Sequence, residues 1–458
     1  MKLNSKRTIL VGLAFLSICA FWQMYDSIVP LILTKTFHMN ETFSGAIMAA
    51  DNILALFLLP FFGSVSDKSH TKIGKRMPFI LFGTGCAIIL MNILPLLDNS
   101  YAAQPSGFKT ASFVIVLGLL LVAMGTYRAP AVALMPDVTP KPLRSRANAI
   151  INLMGAVGGV YTLIMIKLLV GKGDRPDYMP LFVSVAALMV ISVGILVITI
   201  SEKKIEAKVA AEIKAYEDST GLKVETEDTI EEEQLLEAEK NSSDENKGKT
   251  VKMQMPPEVK RSMAFLLTSI FLWFTAYNAV TTAFSRYTKV VWHLEGGGFA
   301  DCLMVATVAA ILSYVPIGNL AGRIGRKKTI LVGIVLMSIC YFAAIFVSQY
   351  HGLVNVAFAV IGIGWAAINV NSYPMIVEMS KGSDIGKFTG TYYTFSMAAQ
   401  ILTPILSGFL LENVSYRTLF PYAFVFSVLA FITMAQVRHG DARPDKKKSL
   451  LENFDVDD

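Results

Sequence analysis

Two short basic segments, each enclosed by long apolar runs, constrain this sequence more than any other feature. Residues 63–79 combine glycines with a cluster of lysine and arginine, and residues 318–328 repeat this composition in the second half of the chain. Glycine lets the chain turn tightly and lets neighbouring helices approach closely. Lysine and arginine hold the loop that carries them on the cytoplasmic side of a membrane. One basic hairpin in each half therefore predicts a duplicated membrane transporter.

The composition supports a membrane location and excludes several function classes. Hydrophobic residues make up 53% of the 458 residues and charged residues only 17%, which leaves too little polar surface for a soluble protein of this length. The net charge is +6, and the basic residues lie in short turns, so nucleic-acid binding is not expected. The four cysteines are far apart and inside apolar runs, without the spacing of a disulfide framework or a metal site. Because phosphate-binding loops and nucleophile motifs are also absent from the sequence, we expect no enzyme, cofactor, metal or ATP-driven transport.

Apolar stretches of about 20 residues predict an all-α membrane protein with twelve transmembrane helices. They lie at residues 8–34, 43–65, 78–97, 111–134, 147–170, 179–200, 262–285, 299–320, 329–348, 352–376, 387–410 and 419–437. The predicted domains are an N-terminal six-helix bundle (1–200), a charged cytoplasmic linker (201–261), a C-terminal six-helix bundle (262–437) and a cytoplasmic tail (438–458). Within the linker, residues 203–216 and 229–240 have the pattern of charged helices, but we expect a plain connection without a partner.

The distribution of lysine and arginine predicts the orientation. In a twelve-helix chain the basic loops and both termini share one side, so both termini are expected in the cytoplasm. The first apolar run is longer than a signal peptide and contains Asp26 and Pro30, so we interpret it as an uncleaved helix. The short loops favour a bacterial plasma (inner) membrane.

The two halves correspond at further positions. Tyr25 and Asp26 in helix 1 stand about where Tyr277 and Asn278 stand in helix 7. This agreement predicts parallel repeats, with two pseudo-symmetric six-helix bundles related by an axis along the membrane normal.

These residues resemble the major facilitator superfamily, and the first hairpin is similar to that of plant sucrose transporters and their solute-carrier relatives. The general superfamily hairpin has a shorter spacing between its aspartate and glycine than Asp67 and Gly74 have here. The passages around Arg128-Ala129 and residues 146–150 resemble helices 4 and 5 of the sucrose transporters. Pro374-Met375, Gly386, Gly390 and Gln400 resemble their helices 10 and 11.

The resemblance implies a secondary active transporter in the lipid bilayer, which imports sucrose, maltose or a related glucoside with protons by alternating access. We expect it to function as a monomer. Two departures limit this inference. The plant proteins have a proton-binding carboxylate in helix 4, and that position is Leu117 here. The sodium-coupled melibiose permeases have two helix 2 carboxylates where this chain has Ala55 and Leu59, so sodium coupling is not expected.

Three ionisable residues inside the predicted helices are candidates for proton coupling: Asp26, Asp51 and Arg128. A charge inside a membrane helix is costly and usually faces a cavity or a partner. By resemblance, helices 1, 4, 7 and 10 line the central cavity. We therefore hypothesise that Asp26 and Arg128 form the coupling pair, because burial and a nearby arginine change the proton affinity of an aspartate in opposite directions. The alternative is a static ion pair that joins helices 1 and 4. Asp51 is a second proton site, an outer gate residue, or an aspartate that reaches interfacial water.

Aromatic and amide side chains in the predicted helices are candidates for substrate binding. Since the positions equivalent to the charged pair are amides in the second half, we expect the first half to handle the proton and the second to hold sugar hydroxyl groups. For each aromatic residue the alternative is packing or anchoring at the membrane interface. The candidates are Trp22, Gln23, Tyr25, Tyr127, Asn152, Trp273, Tyr277, Asn278, Trp365, Asn369, Asn371, Tyr392 and Gln400.

Charged residues at the cytoplasmic helix ends are predicted to gate the transport path. Ion pairs between the halves that form in one state and break in the other would stabilise the outward-facing state. The alternative is a set of solvated topology signals. The gating candidates are Asp67, Arg76, Asp137, Arg144, Arg146, Arg323 and Glu378.

Three other functions stay open at this point. One is a sugar uniporter without ion coupling, and another is a proton-driven efflux pump for a small polar or drug-like compound. The third is a transporter-like nutrient receptor that signals through the linker.

Overall fold

The computed structural model describes residues 3–140, 143–173, 175–220, 256–379 and 385–441. Over these ranges the chain is helical without a β-strand, and twelve helices are long and apolar enough to cross a membrane. This confirms the predicted all-α fold with twelve spans. The helices are α1 (Ser5–Leu31), α2 (Glu41–Asp67), α3 (Met77–Ala103), α4 (Gly107–Asp137), α5 (Arg144–Leu169), α6 (Met179–Thr199), α7 (Glu202–Thr220), α8 (Pro257–Val291), α9 (Ala300–Ile324), α10 (Arg326–Ile345), α11 (Leu353–Met379), α12 (Ile385–Asn413) and α13 (Leu419–Ala435). A π-helical turn (Ile32–Thr36) extends α1, and a 3-10 turn (Tyr416–Thr418) precedes α13.

The spanning helices form two groups of six. Helices α1 to α6 pack against one another, and α8 to α13 form the second group. The groups meet where α2 packs against α12, α5 against α9, and α1 against α8. The domain limits at residues 200 and 262 stay a prediction, since α8 begins at Pro257, ahead of its apolar window.

Glycines set the closest helix approaches inside each group. A Cβ atom at Gly158 of α5 would overlap the backbone carbonyl of Leu16 in α1, and one at Gly362 of α11 would overlap that of Ala306 in α9. Within lipid the hydrophobic effect does not drive helices together. Small residues instead let the helix backbones approach closely and pack by van der Waals contact.

Two ends of the molecule are named here by their loops. The hairpin end carries the loop between α2 and α3, the turn at Gly325 between α9 and α10, and the first residues of α1. The far end is the opposite one, where α2 begins. There the Asn40 side chain accepts a hydrogen bond from the Phe43 N–H at 2.8 Å, which caps α2 and fixes Glu41 in its first turn.

The predicted linker contains a helix with a definite contact surface. Helix α7 covers predicted residues 203–216 and lies against the hairpin end of the first group, where Arg7 approaches Glu212 at 3.9 Å and Val209 is buried. The predicted helical segment 229–240 and most of the tail lie outside the described residues.

Candidate transport site

A cavity of about 460 Å³ lies between the two groups of helices. Its size is typical of small-molecule sites, which span about 300–1,000 Å³. Helices α1, α4 and α5 form one wall, while α9 and α12 form the other. Since Asn148 lies about one turn from the start of α5, the cavity reaches toward the hairpin end. The polar lining includes Gln23, Asp26, Arg128, Asn152, Thr307 and Tyr393.

The three predicted coupling residues lie close together around Trp22. Asp26 and Arg128 both line the cavity. Asp51 and Arg128 share a small adjoining pocket, and Trp22 borders both spaces. The Arg128 guanidinium carbon is 5.8 Å from the centre of the Trp22 ring, a cation–π contact.

Asp26 and Arg128 share the cavity wall but do not form a direct ion pair. Asp51 lies in the small pocket on the other side of Arg128 and Trp22. No ion pair within 4.0 Å joins Asp26 to Arg128 among the described residues. The alternative of a static ion pair between these two residues therefore does not hold in this conformation, and their role in coupling stays a prediction.

Two of the first-half substrate candidates pack inside the bundle. The Tyr127 hydroxyl donates to the Ala14 carbonyl at 2.9 Å and lies 2.5 Å from the Ser17 hydroxyl, which joins α4 to α1. Tyr25 is fully buried and makes an edge contact with Trp22 at 5.4 Å between ring centres. Trp22, Gln23 and Asn152 do line the cavity, and the part of all five in binding stays a prediction.

The second-half candidates lie mostly away from this cavity. Trp273, Asn369 and Asn371 are buried, while the rings of Tyr277 and Trp365 stack at 3.8 Å. In the described part of the chain, the cavity lining does not include these five, nor Asn278, Tyr392 or Gln400. Tyr392 contacts Tyr373 and Tyr393, and Tyr393 itself borders the cavity. Their part in binding stays a prediction.

Helix α9 supplies the second-half wall that the sequence reasoning missed. Thr307, Ile311 and Tyr314 line the cavity and lie on one helical face, since they are separated by four and three positions. The spacing was visible in the sequence. It did not distinguish a cavity face from the many other faces of an apolar helix.

The predicted gating residues pair within each half at the hairpin end. Arg76 forms ion pairs with Asp67 and with Asp137, the latter at 2.9 Å. In the second half, Arg326 pairs with Glu378 at 3.0 Å. The ion pairs described at this end thus join partners of the same half.

The remaining gating candidates differ in how they are held. Arg144 donates to the Pro136 carbonyl at 3.2 Å, which ties the start of α5 to the end of α4. Arg323 is exposed at the end of α9. The side chain of Arg146 lies outside the described residues.

Acidic side chains cap the third helix of each half, a feature that the sequence analysis did not anticipate. The Glu202 carboxylate accepts hydrogen bonds from the backbone N–H groups of Lys75, Arg76 and Met77 at 3.0–3.2 Å. In the second half, Asp441 accepts one from the Lys327 N–H at 2.7 Å. The positive ends of α3 and α10 favour a carboxylate at these points. Both acids follow the last membrane helix of their half. Each therefore anchors the segment after that helix to the basic hairpin.

Replacement of Glu202 by alanine is expected to release α7 from the hairpin end. Burial raises the pKa of Glu202, while the backbone donors of Arg76, Met77 and Lys75 oppose that rise. Loss of these charge-assisted bonds removes about 2 kcal/mol of docking energy. Limited proteolysis should then cleave α7 faster in Glu202→Ala than in Glu212→Ala, whose side chain is half exposed. Equal cleavage of the two variants would contradict this role.

Polar contacts join the two halves at the far end. Arg286 of α8 forms an ion pair with Glu41 of α2, and the Tyr416 hydroxyl donates to the same carboxylate. On the other side of the molecule, Lys167 of α5 pairs with Asp301 of α9 at 2.8 Å. The buried pair of Glu41 and Arg286 closes the far end between α2 and α8, whereas the pair of Lys167 and Asp301 is partly exposed at its edge.

Backbone contacts reinforce this closure. A Cβ atom at Gly45 of α2 would overlap the Pro404 carbonyl of α12, and Gly297 lies equally close to the Ile166 carbonyl of α5. The sequence analysis missed Glu41 and Arg286 because an acid at a helix start and a base near a helix end are ordinary features.

The sequence matches the profile of the Major Facilitator Superfamily over residues 11–307 and again over residues 292–454. The chain is 34% identical over 151 residues to the sucrose transport protein SUC3 of Arabidopsis thaliana, a stretch that covers 30% of this chain and 25% of SUC3. It is 33% identical over 153 residues to the sucrose transport protein SUT3 of Oryza sativa subsp. indica, 30% of either chain. It is also 28% identical over 116 residues to the chloramphenicol resistance protein CraA of Acinetobacter baumannii, 25% of this chain and 28% of CraA. The matched stretches span less than a third of these relatives.

Solved transporter structures share the fold. A bacterial homologue of the iron transporter ferroportin in an inward-facing state aligns with a TM-score of 0.66 at 11% identity, covering 95% of this chain and 99% of that one. The xylose transporter XylE from E. coli, in a partially occluded inward open conformation, aligns with a TM-score of 0.59 at 13% identity, covering 94% and 98%. At such identities the likeness concerns the fold alone.

The profile match extends over nearly the whole chain, and the twelve spans in two groups of six agree with it. The chain belongs to the major facilitator superfamily, a family of membrane transporters and not of enzymes.

Proposed function

We propose that this transporter imports a sugar, of the class of sucrose, maltose or a related glucoside, together with protons by alternating access. The observation that carries the proposal is the wall of the central cavity, where Asp26 and Arg128 stand beside the amides of Gln23 and Asn152. Amides donate and accept hydrogen bonds with hydroxyl groups, whereas a carboxylate can take up a proton. The stretches shared with two plant sucrose transport proteins support the choice of substrate class.

The charge distribution supports an inward-facing state in a plasma membrane. The basic loops, the start of α1 and the end of α13 belong to the hairpin end, which we therefore assign to the cytoplasm, together with both termini. The halves are joined at the far end by Glu41 and Arg286, and the cavity reaches toward the hairpin end. A sugar would leave to the cytoplasm from this state. The monomer holds the complete cavity, so we propose that it functions alone.

Trp22 is the proposed link between the sugar and the proton. It borders both the cavity and the small pocket that contains Asp51 and Arg128. A sugar ring that stacks on the indole would press it toward Arg128, whose guanidinium already lies over that ring. The Arg128 guanidinium can then move away from Asp51 and toward the cavity. There its positive charge lies nearer to Asp26 and favours release of a proton from that carboxyl group.

Uptake by purified protein in proteoliposomes tests the proposal. We expect labelled sucrose, maltose or a related glucoside to accumulate above equilibrium when the outside is acidic, and only to equilibrate without a pH gradient. Equilibration under both conditions would identify a uniporter. No uptake of any sugar in the panel would contradict sugar import.

A second candidate is proton-driven efflux, and the similarity to the chloramphenicol resistance protein CraA favours it. Vesicles that contain the protein in the inverted orientation discriminate the two functions. Gradient-dependent accumulation of labelled chloramphenicol without sugar transport would support efflux, whereas its absence together with sugar uptake would support import.

A further inference from the structure

We propose that Glu41 and Arg286 form the gate that closes the far end of the transport path, and that a proton delivered to Glu41 from the far side opens this gate. Its place in the transport cycle rests on the proposed proton-coupled function. Its test measures access to the far end and needs no substrate, so the two proposals can fail separately.

The ion pair is fully enclosed between the two halves. Arg286 is 1% exposed and Glu41 is 5% exposed. Arg286 also donates from Nη2 to the Thr282 carbonyl at 3.2 Å, while Tyr416 donates to the second oxygen of Glu41. Both carboxylate oxygens of Glu41 are therefore held by residues of the second half. These bonds must break whenever the far ends of the bundles separate.

Further polar groups of the second half meet the first turn of α2 beside the pair. The groups that face the first turn of α2 are Arg286 from α8, Tyr416 from the 3-10 turn and Glu412 from α12. Glu412 accepts hydrogen bonds from the backbone N–H and the hydroxyl of Thr42, the former at 3.0 Å. The Glu412 carboxylate therefore lies beside the first turn of α2, next to the buried pair of Glu41 and Arg286. A proton on Glu41 Oε2 replaces the Arg286 contact and leaves the guanidinium unpaired.

Water on the far side reaches the edge of this gate. A surface pocket of about 420 Å³ is lined by Tyr416, Glu412, Arg417 and His293. Tyr416 and Glu412 are the same residues that bond to the first turn of α2. Protons from the far side therefore approach Glu41 through this pocket, whereas Asp26 borders the cavity on the other side of the closure.

The energetics determine the direction of the effect. Removal of one partner from a buried ion pair leaves an uncompensated buried charge, which is strongly unfavourable. Opening of the far end hydrates Arg286 and removes this penalty. Neutral Glu41 should therefore shift the equilibrium toward the open far end, by roughly a hundredfold for a typical buried pair. The loss of both charges together should restore closure.

Cysteine labelling measures the opening directly. In a variant whose native cysteines are replaced by serine, Met48→Cys places a thiol on α2 at a buried position, two turns from Glu41 on the same helical face. A membrane-impermeant maleimide is added to the far side of intact cells. Val414→Cys, at an exposed far-end position, gives the intrinsic rate at each pH.

The labelling rate of Met48→Cys, relative to that of Val414→Cys, is expected to rise roughly a hundredfold when Glu41→Gln or Arg286→Gln is added. The double variant Glu41→Gln with Arg286→Gln should return close to the starting rate, since no charge is left unpaired. This return also shows that the single variants opened the gate and did not unfold the protein. Acid on the far side should speed labelling when Glu41 is present and have no effect in Glu41→Gln.

Lys167→Gln is the matched control, because it breaks the other far-end ion pair between the halves. The Lys167 side chain is 52% exposed, so its loss should leave the rate unchanged. If Glu41→Gln and Arg286→Gln both leave the labelling rate of Met48→Cys unchanged, the proposed gate is wrong. Labelling that does not respond to acid in the chain with Glu41 would overturn the role of the proton.

Discussion

Asp26→Asn should abolish accumulation of sugar against its gradient and preserve the exchange of labelled for unlabelled sugar. Asp26 lines the cavity beside Gln23 and Arg128, and an amide in its place keeps the hydrogen bonds but cannot carry a proton. Uptake driven by an acidic exterior should fall to simple equilibration. Counterflow in proteoliposomes, which needs no net proton movement, measures the exchange that remains.

Asp301→Asn is the control for this prediction. Asp301 lies in another membrane helix, contacts Lys167 and does not border the cavity, so accumulation should persist. Unchanged uphill uptake in Asp26→Asn would remove Asp26 from the coupling mechanism. Loss of exchange as well as accumulation would assign it to sugar binding.

Gly158→Ala is expected to destabilise the N-terminal bundle strongly. The added methyl group would overlap the Leu16 carbonyl, a backbone atom that cannot rotate away, so α1 and α5 must move apart. Overpacking at such a contact costs about 1–3 kcal/mol. Thermal unfolding in detergent should show a clear decrease in midpoint.

Gly159→Ala provides a control at the next position. Its Cβ atom would meet only the Gln23 side chain, at 3.8 Å, which is ordinary contact. The unfolding midpoint of this variant should stay near that of the unchanged protein. Equal midpoints for Gly158→Ala and Gly159→Ala would show that α1 and α5 do not pack as described.

Sequence reasoning located the membrane helices well because lipid imposes a strong rule. A span needs about 20 apolar residues, and every run of that kind became a helix. Helix ends were less well located. Helix α8 extends to Val291, beyond the predicted end at residue 285, because Arg286 is buried against Glu41 and remains inside the helix.

Contacts between distant helices were the part that the sequence did not reveal. Asp26 and Arg128 were located as cavity residues because charges in membrane helices are rare. Arg128 shares a small pocket with Asp51, and the ion-pair partner of Glu41 is Arg286, 245 positions away. None of these charged residues reveals its distant partner in the sequence. Only the packed helices determine which of them meet.

The most direct test of the central claim is the movement of protons when sugar is added. Purified protein in proteoliposomes, with a pH-sensitive dye outside and no imposed gradient, should make the exterior more alkaline on addition of a transported sugar. The same vesicles with Asp26→Asn should admit the sugar without a dye response. Sugar entry through the unchanged protein with no alkalinisation would contradict proton-coupled import.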